Sequence, residues 1–482
     1  MELGKLISGL ETLAVYGDLS LEVSGIEIDS KKMQKNRLFI CLSGGNHDSH
    51  ESAREAERYG AGAIVCERRL NVGVPQIVVK DSRRAMSYLS AAFYGFPARR
   101  MKIVGITGTN GKTTTARLVK DILERSGKKT GLIGTLGVFF GNTFYEPTLT
   151  TPDPPDLHKI LSEMYEYGID YVVMEVSAHA IELQKVADVN FAAGVLTNLT
   201  QDHLDYFGTM DRYRAAKKKF LTSGQCERVV VNSDDPLGRE ILKENEKAVS
   251  YGIDNPADVF AIDAEEEIDG TKFVLNLFDD IFEIKLRLLG RFNVYNAMAA
   301  AVASTLLGVK PKAAAKALGE SEVVPGRMEC VSGRGGVYVF VDYAHTPDGL
   351  ENSLQTLKKV AKNRLICVFG CGGNRDAGKR AQMGEIAGKL ADFTVLTSDN
   401  PRYEEPMEII REIEKGLLKK SREYVVIQSR EDALRYALAA AKKGDCVLVA
   451  GKGCEKYQEI LGIKHLYNDK DCIEKIYRER NR

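Results

Sequence analysis

Short apolar runs rich in Val, Ile and Leu recur along the chain, separated by stretches in which apolar residues return every three or four positions. That pattern predicts parallel β-strands joined by helices. Strand-like runs at residues 25–28, 37–42, 62–66 and 76–79 alternate with helical stretches at 49–59 and 82–94. FPARRM, residues 96–101, reads as a linker. Runs at 130–135, 171–176, 191–198 and 228–232 continue the βα rhythm as a doubly wound sheet. FVLNLF and IFEIKLRL, joined by Asp279-Asp280, predict an antiparallel meander at its edge. Helical stretches at 293–307 and 311–318 lead to VVPGRME, whose Pro325 and Gly326 mark a second boundary. Beyond it VYVFVDYA, RLICVFG, FTVLTS, YVVIQ and CVLVAG predict another parallel sheet. The expected fold is α/β in three domains: 1–98, a central P-loop domain over 99–325 with an antiparallel edge, and a Rossmann-like C-terminal domain over 326–482.

The sharpest break in this pattern is KIVGITGTNGKTTT, residues 102–115. A strand-like run passes into Gly105, Gly108 and Gly111, and Lys112 then opens a helix-like stretch. Strand, glycine loop and helix in that order let backbone N–H groups converge on phosphate. Lys112 can reach the β and γ phosphates, and the Thr113 hydroxyl can ligate Mg²⁺. One residue more than in the usual P-loop separates Gly105 from Gly111, and the plain alternative is a tight turn.

The chain is long enough for about three domains, and its 44% hydrophobic and 28% charged residues suit a soluble globular protein. Basic and acidic residues balance at 67 each, so no global field recruits nucleic acid or an acidic membrane. Nine scattered cysteines without a CxxC pair read as reduced thiols of a cytoplasmic protein. The start of the chain lacks a signal-peptide core, and the longest small-apolar run, residues 298–309, is too short to span a bilayer. The polar turn 43–50, SGGNHDSH, is either a ligand loop or a connector.

Ligands of open α/β sheets sit at the carboxyl ends of strands. There VVMEVSAHA offers Glu175, Ser177 and His179, and GVLTNLTQDHLD offers Asp202 and His203. With Thr113 they make a candidate Mg²⁺ set; singly, each also reads as a sheet-end ion pair, a cap or a core histidine.

GTNGKTT at 108, EVSAHA at 175, NLTQDHLD at 198, YRAAKKKFL at 213, GRFNVYNAMAA at 290, PGRME at 325, DYAHTPD at 342, GCGGNRDAGKR at 370, DNPR at 399 and GKGCE at 451 resemble, in order, the motifs of the Mur ligases, most closely the MurE type. The resemblance covers essentially the whole chain. It implies ATP-dependent amide synthesis through an acyl phosphate, adding meso-diaminopimelate to a UDP-muramoyl dipeptide in peptidoglycan precursor synthesis. Lys112, Glu175, His203 and Lys217 would be catalytic, with Thr113, Glu175, His203 and Lys217 around Mg²⁺. Composition alone makes Lys217, in AAKKK, a surface lysine; the resemblance makes it the lysine carboxylated by CO₂, a carbamate able to ligate metal.

ATP would be held by Gly108, Thr109, Asn110, Gly111, Lys112, Thr113, Thr114, Asn293, Asn296, Asp342 and His345. The UDP-muramoyl dipeptide would meet Ser30, Thr150, Thr151, Ser177 and Lys185. The incoming amino acid would meet Arg375, Asp399, Asn400, Pro401, Arg402, Gly451 and Glu455. Arg402 can grip the distal carboxylate that separates diaminopimelate from lysine. Lys185 stands where the family often has arginine, Ala178 replaces a frequent serine, and Cys454 a frequent histidine. The resemblance implies a monomer acting on small molecules. The lysine-adding relative, folylpolyglutamate synthase and a non-catalytic nucleotide-binding relative are the alternatives.

Overall fold

The computed structural model describes residues 1–44 and 48–480, so the middle of the turn 43–50 lies outside the described residues. The chain divides into two compact units: residues 1–107, 127–195 and 216–229 form the first, and 108–126, 196–215 and 230–482 the second.

In the first unit, β1 (Ala14–Tyr16), β2 (Gly25–Glu27), β3 (Arg37–Ile40), β4 (Ala61–Cys66) and β5 (Gln76–Val78) form a sheet in the order β1-β5-β4-β3-β2. Its neighbours run parallel except β1 against β5. Strand alternation feeds two cores. Leu38, Ile40, Val65 and Ile77 face Leu89 of helix Ser82–Phe93, while Phe39, Ile64 and Cys66 face Ala53 and Ala56 of helix Ala53–Arg58. Burying each large aliphatic contributes about 1.5–3 kcal/mol. Asp81 starts helix Ser82–Phe93 by accepting from the N–H groups of Arg83 and Arg84.

The unit also carries β6 (Lys102–Thr107), β7 (Thr130–Gly134), β8 (Gly137–Phe140), β9 (Thr143–Tyr145), β10 (Tyr171–Glu175) and β11 (Ala193–Leu196), ordered β11-β6-β10-β7-β8-β9. β10 pairs parallel with β6 and β7, Val173 standing opposite Val104 and Leu132. β7, β8 and β9 form an antiparallel extension that the apolar-run pattern does not predict.

The second unit holds β12 (Val229–Asn232), β13 (Val249–Gly252), β14 (Val259–Glu267), β15 (Gly270–Leu277) and β16 (Asp280–Leu286). The last three are the expected meander, at the edge of the sheet. β17 (Glu329–Ser332), β18 (Tyr338–Asp342), β19 (Leu365–Phe369), β20 (Phe393–Leu396), β21 (Tyr424–Val426) and β22 (Cys446–Ala450) form a sheet ordered β17-β18-β22-β19-β20-β21, parallel except for β17. Leu365, Cys367 and Phe369 face the helices Pro347–Val360, Gly378–Leu390 and Pro406–Leu417, and Ile366 and Val368 face Arg430–Ala440 and Asp469–Arg480. That is the doubly wound arrangement. A hairpin of β23 (Tyr457–Ile460) and β24 (Ile463–Leu466) follows, again without a sequence signal.

Candidate active site

In the second unit, residues 108–111 lead into helix Lys112–Arg125, whose start at Gly111 is capped by no side chain. Gly108 and Gly111 have φ of +151° and +84°; a Cβ on Gly108 would meet Thr197 Oγ1 at 1.8 Å, and one on Gly111 would meet Asn296 Oδ1 at 2.3 Å. Only glycine fits both places. The loop is pinned elsewhere: Asn110 N–H donates to Asn198 Oδ1 at 2.9 Å, Thr197 Oγ1 donates to the Asn110 carbonyl at 2.6 Å, and Thr109 Oγ1 donates to the Thr200 carbonyl at 3.1 Å. Lys112 Nζ donates to the carbonyls of Gly108 and Thr109, each at 2.8 Å, so its charge lies over the loop. Thr113 and Thr114 are buried in the first turn. A helix start and a lysine held over a glycine loop suit an anionic phosphate chain.

Asn293 and Asn296, on helix Arg291–Leu306, are buried beside this loop: Asn296 Nδ2 donates to Asn293 Oδ1 at 2.9 Å, and Thr115 Oγ1 donates to Asn296 Oδ1 at 3.2 Å. Asp342 is buried at the end of β18, where its carboxylate accepts from the N–H of Met328 at 2.6 Å and of Ala344 at 2.8 Å. Burial nevertheless raises its pKa. His345 contacts the Tyr343 carbonyl through Nδ1 at 2.8 Å.

Three basic side chains surround Asp202, which is 5% exposed: His203 Nε2 at 3.3 Å, Lys379 Nζ at 3.5 Å and His345 Nε2 at 3.7 Å. Burial opposes its charge, but His345, Lys379 and His203 together hold the carboxyl well below the usual range. His203 takes a left-handed backbone, φ +56°, at the start of helix Leu204–Phe207. Two neighbours of the nucleotide loop escape the sequence reading. Arg327 Nη2 donates to Thr113 Oγ1 at 2.9 Å, and Asp348 Oδ2 accepts from Asn110 Nδ2 at 2.7 Å. Arg327 lies in the quoted PGRME and Asp348 closes the quoted DYAHTPD, so both motifs offered a signal.

In the first unit, Glu175 is 1% exposed at the end of β10. Its carboxylate accepts from the Thr135 N–H at 2.8 Å and from Thr135 Oγ1 at 3.1 Å, and Thr135 Oγ1 lies 3.2 Å from Thr150 Oγ1. Thr151 Oγ1 donates to the Glu175 carbonyl at 2.9 Å and accepts from the Ser177 N–H at 3.1 Å. Thr150, Thr151, Ser177 and Glu175 thus form one group. Lys185 Nζ is 2.7 Å from Asp153. Ser30 donates to Glu55 at 2.6 Å within the N-terminal sheet region. Lys217, on helix Met210–Thr222, is 1% exposed, so the surface reading of AAKKK fails at this position. Among the described residues no three His, Cys, Asp or Glu side chains gather as a metal cluster. The expected metal set contains only Glu175 and His203 of those types, its other members being Thr113 and Lys217.

The amino-acid residues gather in the second unit. Asn400 Nδ2 donates to Glu455 Oε2 at 2.9 Å, and Lys452 Nζ, wholly buried, donates to Asn400 Oδ1 and Glu455 Oε2, each at 2.9 Å. A Cβ on Gly451 would meet Asp399 Oδ2 at 2.5 Å. Pro401 is buried, Arg375 is exposed, and Arg402 Nη1 donates to the Gly373 carbonyl at 2.8 Å. Behind them Arg430 is buried: Nε and Nη2 donate to Asp469 at 2.8 Å each, Nη2 to the Ala450 carbonyl at 2.9 Å, and Nη1 lies 4.0 Å from Asp399. Lys452 carried a signal in GKGCE; Arg430 carried none.

Residues 22–94, 106–304 and 326–453 match, in turn, the Mur ligase family catalytic domain, the Mur ligase middle domain and the Mur ligase glutamate ligase domain. The UDP-N-acetylmuramoyl-L-alanyl-D-glutamate--2,6-diaminopimelate ligase of Syntrophomonas wolfei is 43% identical over 99% of both chains, and that of Geobacillus kaustophilus 42% identical over 100% of both. A solved structure of a ligase of that name aligns over 100% of this chain and 99% of its own, with 30% identity and a TM-score of 0.71.

Proposed function

The chain belongs to the Mur ligase family, and from that premise we propose that it joins meso-diaminopimelate to UDP-N-acetylmuramoyl-L-alanyl-D-glutamate, consuming ATP, in peptidoglycan precursor synthesis. The observation that carries this reading is the pairing of opposite charges at the amino-acid end. Arg402 is half-buried on the Gly373 carbonyl, and Glu455 is held by Asn400 and Lys452. The distal centre of diaminopimelate bears a carboxylate for the arginine and an ammonium for the glutamate. Lysine has only the ammonium.

A carboxylate is a poor electrophile. In the reaction its oxygen bonds to the γ-phosphorus of ATP and ADP leaves; the incoming amine then attacks the acyl phosphate, loses a proton and expels phosphate. Lys112 and the start of helix Lys112–Arg125 hold the phosphates and offset charge on the transferred group. Thr113, Glu175, His203 and a carboxylated Lys217 offer mainly oxygen donors, which suit Mg²⁺. Bound there, the ion would supply Lewis-acid neutralisation of the phosphoryl oxygens. Thr135 orients the Glu175 carboxylate through two hydrogen bonds.

The muramoyl dipeptide would lie on Thr150, Thr151, Ser177 and Lys185 with its UDP end toward Ser30. Domains would follow the boundaries 1–98, 99–325 and 326–482. No helix among the described residues is long and apolar enough to cross a membrane. We read the chain as a cytoplasmic monomer acting on small-molecule substrates. The test is ADP formation with ATP, Mg²⁺ and the UDP-muramoyl dipeptide, offering meso-diaminopimelate or L-lysine. Turnover with diaminopimelate that Arg402→Ala abolishes supports the reading; preference for lysine overturns the amino-acid assignment, and no turnover with either overturns the ligase reading.

A further inference from the structure

The DNPR turn is not self-supporting. Arg402 has φ +53°, a conformation costly for a residue with a Cβ, so neighbouring structure must hold it. The neighbour is the hairpin β23–β24. Arg402 N–H donates to the Glu459 carbonyl at 3.1 Å, and the Leu461 N–H donates to the Arg402 carbonyl at 2.7 Å, so the turn pairs with β23. Asn400 Oδ1 accepts from the Glu459 N–H at 2.9 Å, and Gln458 Nε2 donates to the Asp399 carbonyl at 2.7 Å. The side chain of the same Glu459 places Oε2 at 3.2 Å from Arg402 Nε.

We propose that Glu459 is a positioning residue that sets the orientation of the Arg402 guanidinium and thereby selects the distal carboxylate of the amino-acid substrate, an inference that rests on the ligase reading above. Two sides of the guanidinium meet protein: Nε lies 3.2 Å from Glu459 Oε2 in an ion pair, and one Nη1–H donates to the Gly373 carbonyl. The end formed by the other Nη1–H and by Nη2 is left to face a carboxylate, as two parallel N–H···O bonds require. Arg402 and Glu459 side chains are 18% and 22% exposed, so the pair is partly shielded from water and the orientation is held. Without the Glu459 carboxylate the guanidinium can turn about its long stem, and the bidentate fit is lost.

The experiment measures kcat and KM for each of the three substrates with the full chain, Glu459→Ala and Glu459→Gln, together with melting temperature. Glu459→Ala is expected to raise KM for diaminopimelate on the order of tenfold, with KM for ATP and for the UDP-muramoyl dipeptide unmoved. Glu459→Gln, which keeps a polar oxygen of the same reach beside Nε but not the charge, recovers part of the loss. An unchanged or lower KM for diaminopimelate overturns the proposal, the lower value marking Glu459 as a repelling charge. A rise shared by all three substrates with a fall in melting temperature also overturns it, since that is a structural role. Failure of the unmodified chain to turn over diaminopimelate overturns the ligase reading, and this inference with it.

Discussion

His158 sits in helix Pro154–Glu166, which packs against helix Ser82–Phe93, and the residue is wholly buried. Neither ring nitrogen has a hydrogen-bond partner. Burial, opposed only in part by the charge of Asp188, lowers its pKa from 6.5 to about 4. The folded chain therefore refuses a proton that the unfolded chain accepts. Above pH 6.5 both states are neutral and nothing is lost. Between the two values the unfolded state gains the proton, and stability falls with pH by up to about 1.4 kcal/mol per unit, reaching roughly 2 kcal/mol at pH 5 and 3 kcal/mol near pH 4. Below that both states are protonated and the loss stops growing. The perturbation is His158→Leu, followed by urea unfolding at pH 7.5 and pH 5. At pH 7.5 the variant is expected to be as stable as the unmodified protein or more so, because an unpaired buried polar group costs about 1–3 kcal/mol. At pH 5 its advantage should grow by roughly 2 kcal/mol. An advantage that stays constant between the two pH values refutes the reasoning.

Asp469→Leu leaves the buried Arg430 charge without its partner and should cost about 3–5 kcal/mol in thermal unfolding, whereas Arg430→Met with Asp469→Leu should recover much of that; equal cost in both variants contradicts the pairing. Gly111→Ala puts a Cβ 2.3 Å from Asn296 Oδ1 at a φ of +84° and should raise KM for ATP by on the order of tenfold or more; an unchanged KM means the loop does not carry the phosphates. Lys217→Arg keeps the cation but cannot form the carbamate and should lower kcat by about 100-fold or more; full activity in the variant removes the carbamate from the mechanism.

Much of this architecture is legible in local pattern. Leu365 to Phe369 alternates between two cores as a doubly wound strand must, and Asp279-Asp280 marks the meander turn. The glycine loop is legible because its conformation excludes other residues. Lys217 could have been placed by helical period, since Ala216, Phe220 and Leu221 share its buried face; three adjacent lysines hid that face. The hairpin β23–β24 left no trace because its turn is Leu461-Gly462, both at positive φ, where the usual signal is Asn-Gly or Asp-Gly. Glu459, Arg430 and Asp469 read as ordinary surface charges. Their partners lie 57, 39 and 39 residues away, in Arg402 and in each other, and only the folded chain joins them.

The central claim is that the dipeptide carboxylate is activated by phosphoryl transfer, and an isotope tests it directly. With ¹⁸O in the γ-carboxylate of the D-glutamyl residue, the oxygen that attacks phosphorus departs with the phosphate when the amine displaces it. Activation by phosphoryl transfer puts one ¹⁸O in the inorganic phosphate for each amide formed with diaminopimelate. Phosphate without label, released while amide accumulates, would contradict it.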